Sequence, residues 1–267
     1  DIASRNSCTA IGLDITGFFD NLSHDILKDK WAQVLHQTRL PADHYALFRA
    51  ITKFSTVERA ALYSALGISE HNPKASGIRA CSAADFRGKV RAAGLVSHNP
   101  NVFGIPQGTP ISALLSNIYM FDFDKEIQSL ISRIGGSYYR YCDDILIIVE
   151  TKDANHIAGD VRARIKRLKL DINPKKTEIR DFQRTGAVLS ANRPLQYLGF
   201  TFDGQRILLR SAALARYSQR MKQGVRLAKL TAKSRNTARS SLGLKSNDLY
   251  KRKLYEKYSH LGKQNFV

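Results

Sequence analysis

The feature that most constrains this chain is an apolar segment that directly follows two adjacent acidic residues. Asp143 and Asp144 precede the run Ile145–Val149, and an aromatic run, Tyr138–Tyr141, stands just before them. β-Branched and aromatic residues favour strands, so the pattern predicts two strands that turn at the acidic pair. Two carboxylates about 4 Å apart repel by roughly 4 kcal/mol at an effective dielectric near 20, so a buried pair either takes up a proton or binds a cation. An ordinary hairpin turn is the alternative, since Asp is common in turns.

A second acidic position lies far upstream in a similar setting. Asp14 interrupts the apolar run Ile11–Phe19, and Asp20 follows it before a helical pattern. A lone carboxylate inside a strand is unfavourable unless a partner satisfies it or it has a function. This second site favours a functional interpretation of the acidic pair over the turn interpretation.

Five segments, in order along the chain, resemble the palm motifs of reverse transcriptases. They are Asp14–Asp20, Gly104–Ser112, Tyr141–Asp144, Asn173–Thr177 and Leu195–Phe200. The resemblance covers the chain from about Ile11 to Phe202. It implies an α+β right-hand polymerase, in which a palm of antiparallel sheet packs on helices and a basic helical thumb follows. It also implies that most of the fingers lie outside this chain.

The resemblance assigns a catalytic and metal-binding group. Asp14, Asp143 and Asp144 would be the catalytic carboxylates, and together with Ile15 they would bind two Mg²⁺ ions. Two-metal phosphoryl transfer places such ions about 3.5–4 Å apart, where they hold the attacking and leaving oxygens.

Further roles follow from the resemblance for the nucleotide and the primer. Phe19 would be the aromatic gate that excludes a ribose 2′ hydroxyl, Gln107 would contact the incoming nucleotide or its template partner, and Lys176 would neutralise or protonate the leaving pyrophosphate. The alternative for Phe19 is a core phenylalanine, for the loop of Gln107 a simple strand-to-helix connector, and for Lys176 a solvated lysine. The residues that would contact the primer are Tyr141, Leu198 and Gly199.

His24 follows the first motif, at the start of a helical pattern. A histidine in the first turn of an amphipathic helix is expected at the surface, and we prefer that position to a role as catalytic base.

Charge is concentrated in the last quarter of the chain. Sixteen basic and two acidic residues lie between Arg206 and Val267, a net +14 of the total +19. Such a charge favours a polyanionic partner, above all nucleic acid. Helical patterns over 212–230 and 247–258 predict a basic helical thumb. The expected domains are therefore a palm with partial fingers over 1–205 and a thumb over 206–267.

Other classes of protein fit poorly. No apolar run approaches the roughly 18 residues of a membrane span, so no membrane partner is expected. The first residues lack the pattern of a signal peptide, so none is expected there. The cysteines Cys8, Cys81 and Cys142 have neither zinc-site nor disulfide spacing, which favours a reducing cytoplasm.

The chain is most similar to bacterial reverse transcriptases. Its closing pattern, Lys253–Tyr255, Tyr258–Lys263 and Asn265-Phe266, resembles antiphage-defence enzymes of the former unknown groups. Retrons and group II intron enzymes are related alternatives. The implied partners are an RNA template, including a dedicated noncoding RNA, dNTPs and a DNA product, with a homo-oligomer or a hetero-oligomer as possible assemblies. A non-catalytic RNA-binding scaffold is the alternative from another class.

Overall fold

A computed structural model of the chain describes residues 1–70 and 80–259. The end of the closing pattern, from His260 onward, lies outside the described residues. The chain divides into two compact units, Asp1–Leu195 and Gln196–Val267. Each unit is described by itself below.

Regular elements make up most of the first unit. Its helices are α1 (His24–Val34), α2 (Ala42–Thr52), α3 (Arg59–Leu66), α4 (Ala83–Asp85) with a π-helical continuation (Phe86–Arg91), α5 (Ser112–Arg133) and α6 (Ala154–Arg167). Its strands are β1 (Ser7–Asp14), β2 (Ser55–Val57), β3 (Val96–His98), β4 (Ser137–Tyr141), β5 (Asp144–Val149), β6 (Glu178–Thr185) and β7 (Val188–Ala191). Short 3₁₀ segments cover Ile2–Ser4, Phe19–Asn21 and Thr151–Asp153.

An antiparallel five-stranded sheet forms the centre of this unit, with the strand order β4-β5-β1-β6-β7. The register pairs Leu13 with Ile145 and Ile11 with Ile147. Residues directly opposite each other on antiparallel strands project from the same face, so these four apolar side chains form one face of the sheet. That face belongs to the main hydrophobic core, which confirms the expected palm of antiparallel sheet packed on helices.

The long helix α5 supplies much of the layer beneath the sheet. Its buried apolar side chains recur at helical spacing and are Leu115, Tyr119, Met120, Phe123, Ile127 and Ile131. Full burial of a large apolar side chain contributes about 1.5–3 kcal/mol, so this stripe fixes α5 firmly under β4 and β5. The helix therefore offers a rigid support for whatever the strand ends carry.

The hairpin predicted at the acidic pair Asp143 and Asp144 is present. The strands β4 and β5 have nearly the predicted bounds, although Asp144 is the first residue of β5 and the turn consists of Cys142 and Asp143. The strand predicted around Asp14 is displaced, because β1 begins at Ser7 and ends at Asp14 itself. Asp14 thus terminates its strand instead of interrupting it.

The second unit combines a small sheet with two helices. The strands β8 (Leu195–Tyr197), β9 (Phe200–Phe202) and β10 (Ile207–Leu209) pair in the order β10-β9-β8, and α7 (Ser211–Ser240) and α8 (Arg252–Tyr258) follow. Among the described residues, no helix combines the length and the apolar character that crossing a membrane requires.

The helix α7 is longer than its apolar pattern predicts. That pattern stops at Leu230, but the helix continues for ten residues, five of which are the strong helix formers Ala, Lys and Arg. Gly224 lies where α8 approaches, and a Cβ there would be 2.6 Å from the Tyr258 hydroxyl. The Tyr217 hydroxyl donates to the Tyr258 carbonyl at 2.8 Å, so this side of α7 is the one that packs on α8.

Candidate active site

Sheet register brings three of the sequence-predicted residues into one row. Tyr141 of β4 pairs with Asp144 of β5, and Asp144 pairs with Asp14 of β1. Opposed residues of an antiparallel pair have their Cβ atoms about 4.5–5.5 Å apart and on the same face. The aromatic ring and both carboxylates therefore stand side by side at the end of three neighbouring strands, on the face opposite Ile145.

The third carboxylate lies in the turn beside this row. The Ile15 N–H donates to the Asp143 carbonyl at 3.0 Å, which ties the turn to the end of β1. The Ile15 side chain is a buried hydrocarbon, and its main-chain carbonyl is the only oxygen that this residue has to offer to a metal. Cys142 has φ 53°, a left-handed conformation that costs a residue other than glycine of order 1–3 kcal/mol. Such a conformation persists only where surrounding contacts hold it.

The carboxylates influence one another electrostatically. Burial raises the pKa of Asp144, and the neighbouring charges of Asp143 and Asp14 raise it further, while the Lys176 ammonium acts in the opposite direction. Repulsion of this kind is relieved by a proton or by a cation.

Lys176 is bound to the first of these carboxylates. Its ammonium donates to both oxygens of Asp14, at 3.0 and 2.9 Å. The pair forms because the Asn173 N–H donates to the Asp14 carbonyl at 2.8 Å, and the turn that follows Asn173 brings Lys176 back toward β1. The hydrogen bond with Asp14 raises the pKa of Lys176. The Lys176 side chain is 63% exposed, whereas that of Asp14 is 13% exposed.

The donor chemistry of the site suits a hard divalent cation, because such ions take oxygen ligands and the Asp14 and Asp144 carboxylates are neighbours, with Asp143 in the adjoining turn. However, among residues 1–70 and 80–259, no three His, Cys, Asp or Glu side chains are grouped so that they could hold a metal ion. Both oxygens of Asp14 instead accept hydrogen bonds from the Lys176 ammonium.

The residues predicted to bind the nucleotide lie on two connected segments. Phe18 is buried and takes the core position, while Phe19 is half-buried with its ring centroid 5.4 Å from that of Phe18. The Phe19 carbonyl accepts a hydrogen bond from the Ile105 N–H at 2.9 Å, and Gln107 is exposed two residues later. The aromatic ring and the glutamine are therefore positioned by one backbone connection.

His24 strengthens this connection, and the expectation that it lies at the surface is wrong. It is 8% exposed, and its Nε2 donates to the Gly104 carbonyl at 2.8 Å. Gly104 has φ +88°, and a Cβ there would lie 2.9 Å from the Asp20 carbonyl, so only glycine fits. The helical pattern missed the burial of His24 because it treats α1 alone, whereas the loop that covers the residue comes from the segment before Gln107.

Leu198 and Gly199, the other expected primer contacts, form the turn between β8 and β9 in the second unit. Both have positive φ, 46° and 86°, as a two-residue type I′ hairpin turn requires. Leucine is strained in this conformation, and strain of this kind is often found at functional sites. The primer-binding role of these residues stays a prediction.

A buried cluster beneath the turn was not expected from the sequence. The Arg140 side chain is only 6% exposed, and it donates through Nε to Asp124 Oδ1 at 2.7 Å and through Nη1 to the Cys142 carbonyl at 2.9 Å. The Tyr138 hydroxyl also donates to Asp124, at 2.6 Å. Burial alone would lower the pKa of Arg140, but the hydrogen bonds and charge of Asp124 outweigh it and raise that pKa. The available signal was a charged residue inside an aromatic strand, on the side that faces the helices.

Similarities between this chain and known proteins are of two kinds, to solved structures and to a family. Among solved structures, the chain is similar to the apo telomerase of Candida tropicalis truncated from its C-terminal domain (11% identity, TM-score 0.46, 77% of this chain and 36% of that one). It is similar also to the telomerase of Candida albicans in complex with a fragment of telomeric RNA (12% identity, TM-score 0.43, 76% and 32%). The chain thus spans about a third of the length of these telomerase chains. No curated protein matches it. The family model described as reverse transcriptase (RNA-dependent DNA polymerase) matches residues 2–202, and the chain belongs to that family.

Proposed function

We propose that this chain is the catalytic part of a Mg²⁺-dependent enzyme that copies RNA into DNA from dNTPs. The observation that carries the proposal is the row formed by Tyr141, Asp144 and Asp14, with Asp143 in the adjoining turn. This arrangement places three carboxylates and an aromatic ring at the rim of a rigid sheet. Family membership supplies the reaction class.

Each residue of the site has a role in this proposal. Asp14, Asp143 and Asp144 are the ligands of Mg²⁺, with the Ile15 carbonyl as a further oxygen. When bound, Mg²⁺ lowers the pKa of the primer 3′ hydroxyl and neutralises the charge of the triphosphate and the leaving pyrophosphate. A bound metal ion would compete with Lys176 for Asp14, and the Lys176 ammonium would then be free to neutralise the departing phosphates.

Positioning accounts for the remaining parts of the site. Phe19 excludes a ribose 2′ hydroxyl, and Gln107 contacts the nascent base pair. The hydrogen bond from the Ile105 N–H to the Phe19 carbonyl connects the segments that carry these two residues. Tyr141 of the first unit contacts the primer. In the second unit, a primer-binding role is proposed by resemblance for the strained turn at Leu198 and Gly199. In-line phosphoryl transfer needs little beyond such positioning and charge neutralisation.

The basic second unit is proposed to bind the template–primer duplex. Four exposed residues of α7 share one side of the helix at spacings of four, three and four, and they are Lys222, Arg226, Lys229 and Lys233. They extend over about 16 Å at 1.5 Å per residue, long enough to follow several phosphates. This stripe lies away from the side of α7 that carries Tyr217 and Gly224, which packs on α8. Phosphate contacts of this kind release counterions, so we expect binding to weaken steeply with salt.

The biological setting is proposed from the closing pattern alone. Its resemblance to antiphage-defence enzymes supports a bacterial enzyme that is templated by a dedicated noncoding RNA in the cytoplasm. Retron and group II intron enzymes are the alternatives within the family, with or without a second subunit. A scaffold that binds RNA without catalysis is favoured by one observation, the ion pair that engages Asp14.

The test is primer extension by the full chain with Mg²⁺, on poly(rA)–oligo(dT) and on RNA that copurifies with the protein, with dNTPs or rNTPs. A double variant, Asp143→Asn with Asp144→Asn, is compared with Asp25→Asn with Asp29→Asn. The control pair removes the same charge from exposed positions of α1.

We expect the parent and the control to incorporate dNTPs in preference to rNTPs, and the site variant to lose at least about 10³-fold in rate, because charge stabilisation is the main catalytic term. Unimpaired incorporation by a folded site variant would refute the proposal. RNA retention by a parent chain that extends no primer would favour the scaffold.

A further inference from the structure

The turn that carries Asp143 is held in a strained conformation from two sides. On the β1 side, the Ile15 N–H binds the Asp143 carbonyl at 3.0 Å. On the helix side, Arg140 Nη1 binds the Cys142 carbonyl at 2.9 Å. Cys142 has φ 53°, so without these contacts the turn would relax toward an unstrained backbone. Both carbonyls of the two-residue turn are therefore fixed by named donors.

Arg140 can hold the turn because it is itself immobile. Its guanidinium donates through Nε and Nη2 to the two oxygens of Asp124 and through Nη2 to Asn117 Oδ1 at 3.3 Å. Asn117 and Asp124 are seven residues apart and share one side of α5, the helix that anchors the core. The guanidinium thus connects a rigid helix with the catalytic turn.

The chemistry of this connection is specific to arginine. A planar guanidinium can bind a carboxylate with two parallel hydrogen bonds while a third N–H points elsewhere, whereas a lysine ammonium cannot keep this geometry. The residue is almost completely buried, so its position is not averaged by solvent.

We infer that Arg140 is a positioning residue that sets the orientation of the Asp143 carboxylate through the Cys142 carbonyl, with Asp124 as its anchor. The inference rests on the proposed function, because it assigns the purpose of this geometry to metal binding by that carboxylate. Arg140 itself touches neither substrate nor metal. Partners that orient metal ligands typically contribute 10–100-fold to metal affinity or activity, and we expect an effect of about that size.

The test uses three variants of the full chain. Arg140→Lys keeps the charge and removes the fork, and Asp124→Glu keeps the ion pair but moves the guanidinium by one methylene. Tyr138→Phe is the matched control, because it removes one hydrogen bond from Asp124 and leaves the contact between Arg140 and Cys142 intact.

The first readout is the reactivity of the Cys142 thiol with a maleimide, measured in a Cys81→Ser background; the third cysteine, Cys8, is buried. It reports the conformation of the turn whether or not the chain is an enzyme. We expect labelling to accelerate about tenfold in Arg140→Lys and in Asp124→Glu, because the loss of one charge-assisted hydrogen bond corresponds to about that factor. The labelling rate should stay unchanged in Tyr138→Phe. Equal rates in all variants would overturn the inference, and Asp124→Glu gives the answer if Arg140→Lys does not fold.

The second readout is Mn²⁺ affinity, from the electron paramagnetic resonance signal of free Mn²⁺, together with kcat and KM on poly(rA)–oligo(dT). We expect Mn²⁺ affinity and kcat to fall about 10–100-fold with little change in the KM for dTTP. Faster labelling with unchanged Mn²⁺ affinity would overturn the positioning role. A parent chain that neither binds Mn²⁺ nor extends a primer would refute the proposed function, and with it the purpose assigned to Arg140, while labelling would still report whether Arg140 holds the turn.

Discussion

Two ion pairs lie at the acidic site, one beneath the Cys142–Asp143 turn and one at Asp14, and they differ in burial. Beneath the turn, Arg140 and Asp124 have side chains that are 6% and 30% exposed, and they share two hydrogen bonds. Above it, Lys176 is 63% exposed and pairs with Asp14, whose side chain is 13% exposed, so this pair is open to water on its basic side. Both pairs join a basic residue to an aspartate, but only in the first is the basic side chain closed off from water.

Burial decides what each pair can do. A buried guanidinium loses its hydration, so a missing partner leaves a costly uncompensated charge and the pair stays fixed. An exposed ammonium exchanges a carboxylate for water at little cost, because surface pairs contribute only about 0–1 kcal/mol. The Arg140 pair therefore fixes geometry, and the Lys176 pair can be replaced by another cation during a reaction cycle.

The largest expected effect is on stability, from removing the aspartate of the buried pair. Asp124→Ala leaves the guanidinium without its carboxylate and the Tyr138 hydroxyl without its acceptor. Breaking a buried pair costs about 3–5 kcal/mol, and the partial exposure of Asp124 reduces this to about 2–3 kcal/mol. Urea unfolding followed by circular dichroism measures the change.

The matched comparison is Asp14→Ala, which removes the aspartate of the exposed pair. Lys176 remains hydrated and the carboxylates repel one another less, so we expect a change within about 1 kcal/mol. Equal destabilisation by Asp14→Ala and Asp124→Ala would break the contrast between the two pairs.

Activity should depend on Lys176 and much less on the adjacent Lys175. Lys176→Met is expected to lower kcat about 10- to 100-fold, at or below the lower range for general acids, because the leaving pyrophosphate loses its ammonium. The thermal midpoint should move by no more than about 2 °C, since the lost pair is exposed. Lys175→Met removes the same charge from an exposed residue one position earlier and should retain most activity. A similar loss in both variants would mean that general positive charge, and not the contact with Asp14, is responsible.

Some features of this site could be predicted from the sequence because they depend on local pattern. Apolar and aromatic runs on both sides of the acidic pair identify β4 and β5, and helical periodicity identifies α5. The strands β6 and β7 were missed, although β6 pairs with β1. Four of the eight residues of β6 are charged, namely Glu178, Arg180, Asp181 and Arg184, so the strand lacks an apolar signal.

Other features depend on contacts between segments that are distant in the chain. Lys176 reaches Asp14 only because Asn173 is hydrogen-bonded to the end of β1. Arg140 is buried only because Asp124 stands on the adjacent face of α5. No spacing or composition reports such a partner, since each pair is created by the packing of the sheet on its helices.

The smallest expected effect tests how completely Lys176 compensates the carboxylates. The pKa of Asp144 is raised above its ordinary value of 3.8 by burial and by Asp143 and Asp14, so the folded state holds the proton more tightly than the unfolded state. Stability therefore falls as pH rises from that value through the raised pKa, and the deficit persists at neutral pH. Asp144→Asn has no carboxyl group to deprotonate at this position, so it does not lose this stability as pH rises. In EDTA at pH 7 its thermal midpoint should exceed that of the parent by about 1–3 °C, and the difference should vanish near pH 3.

Addition of Mg²⁺ should reverse this order, because a cation that binds only the folded parent stabilises it by mass action. Asp29→Asn, an exposed position on α1, is the control and should show neither the pH dependence nor the reversal. A parent as stable as Asp144→Asn in EDTA would mean that the exposed ion pair already neutralises the site, and the functional difference between the two pairs would then be smaller than their burial indicates. If Mg²⁺ instead makes the parent more stable than Asp144→Asn, the Lys176 ammonium leaves part of the negative charge of the carboxylates uncompensated, and a metal ion neutralises it.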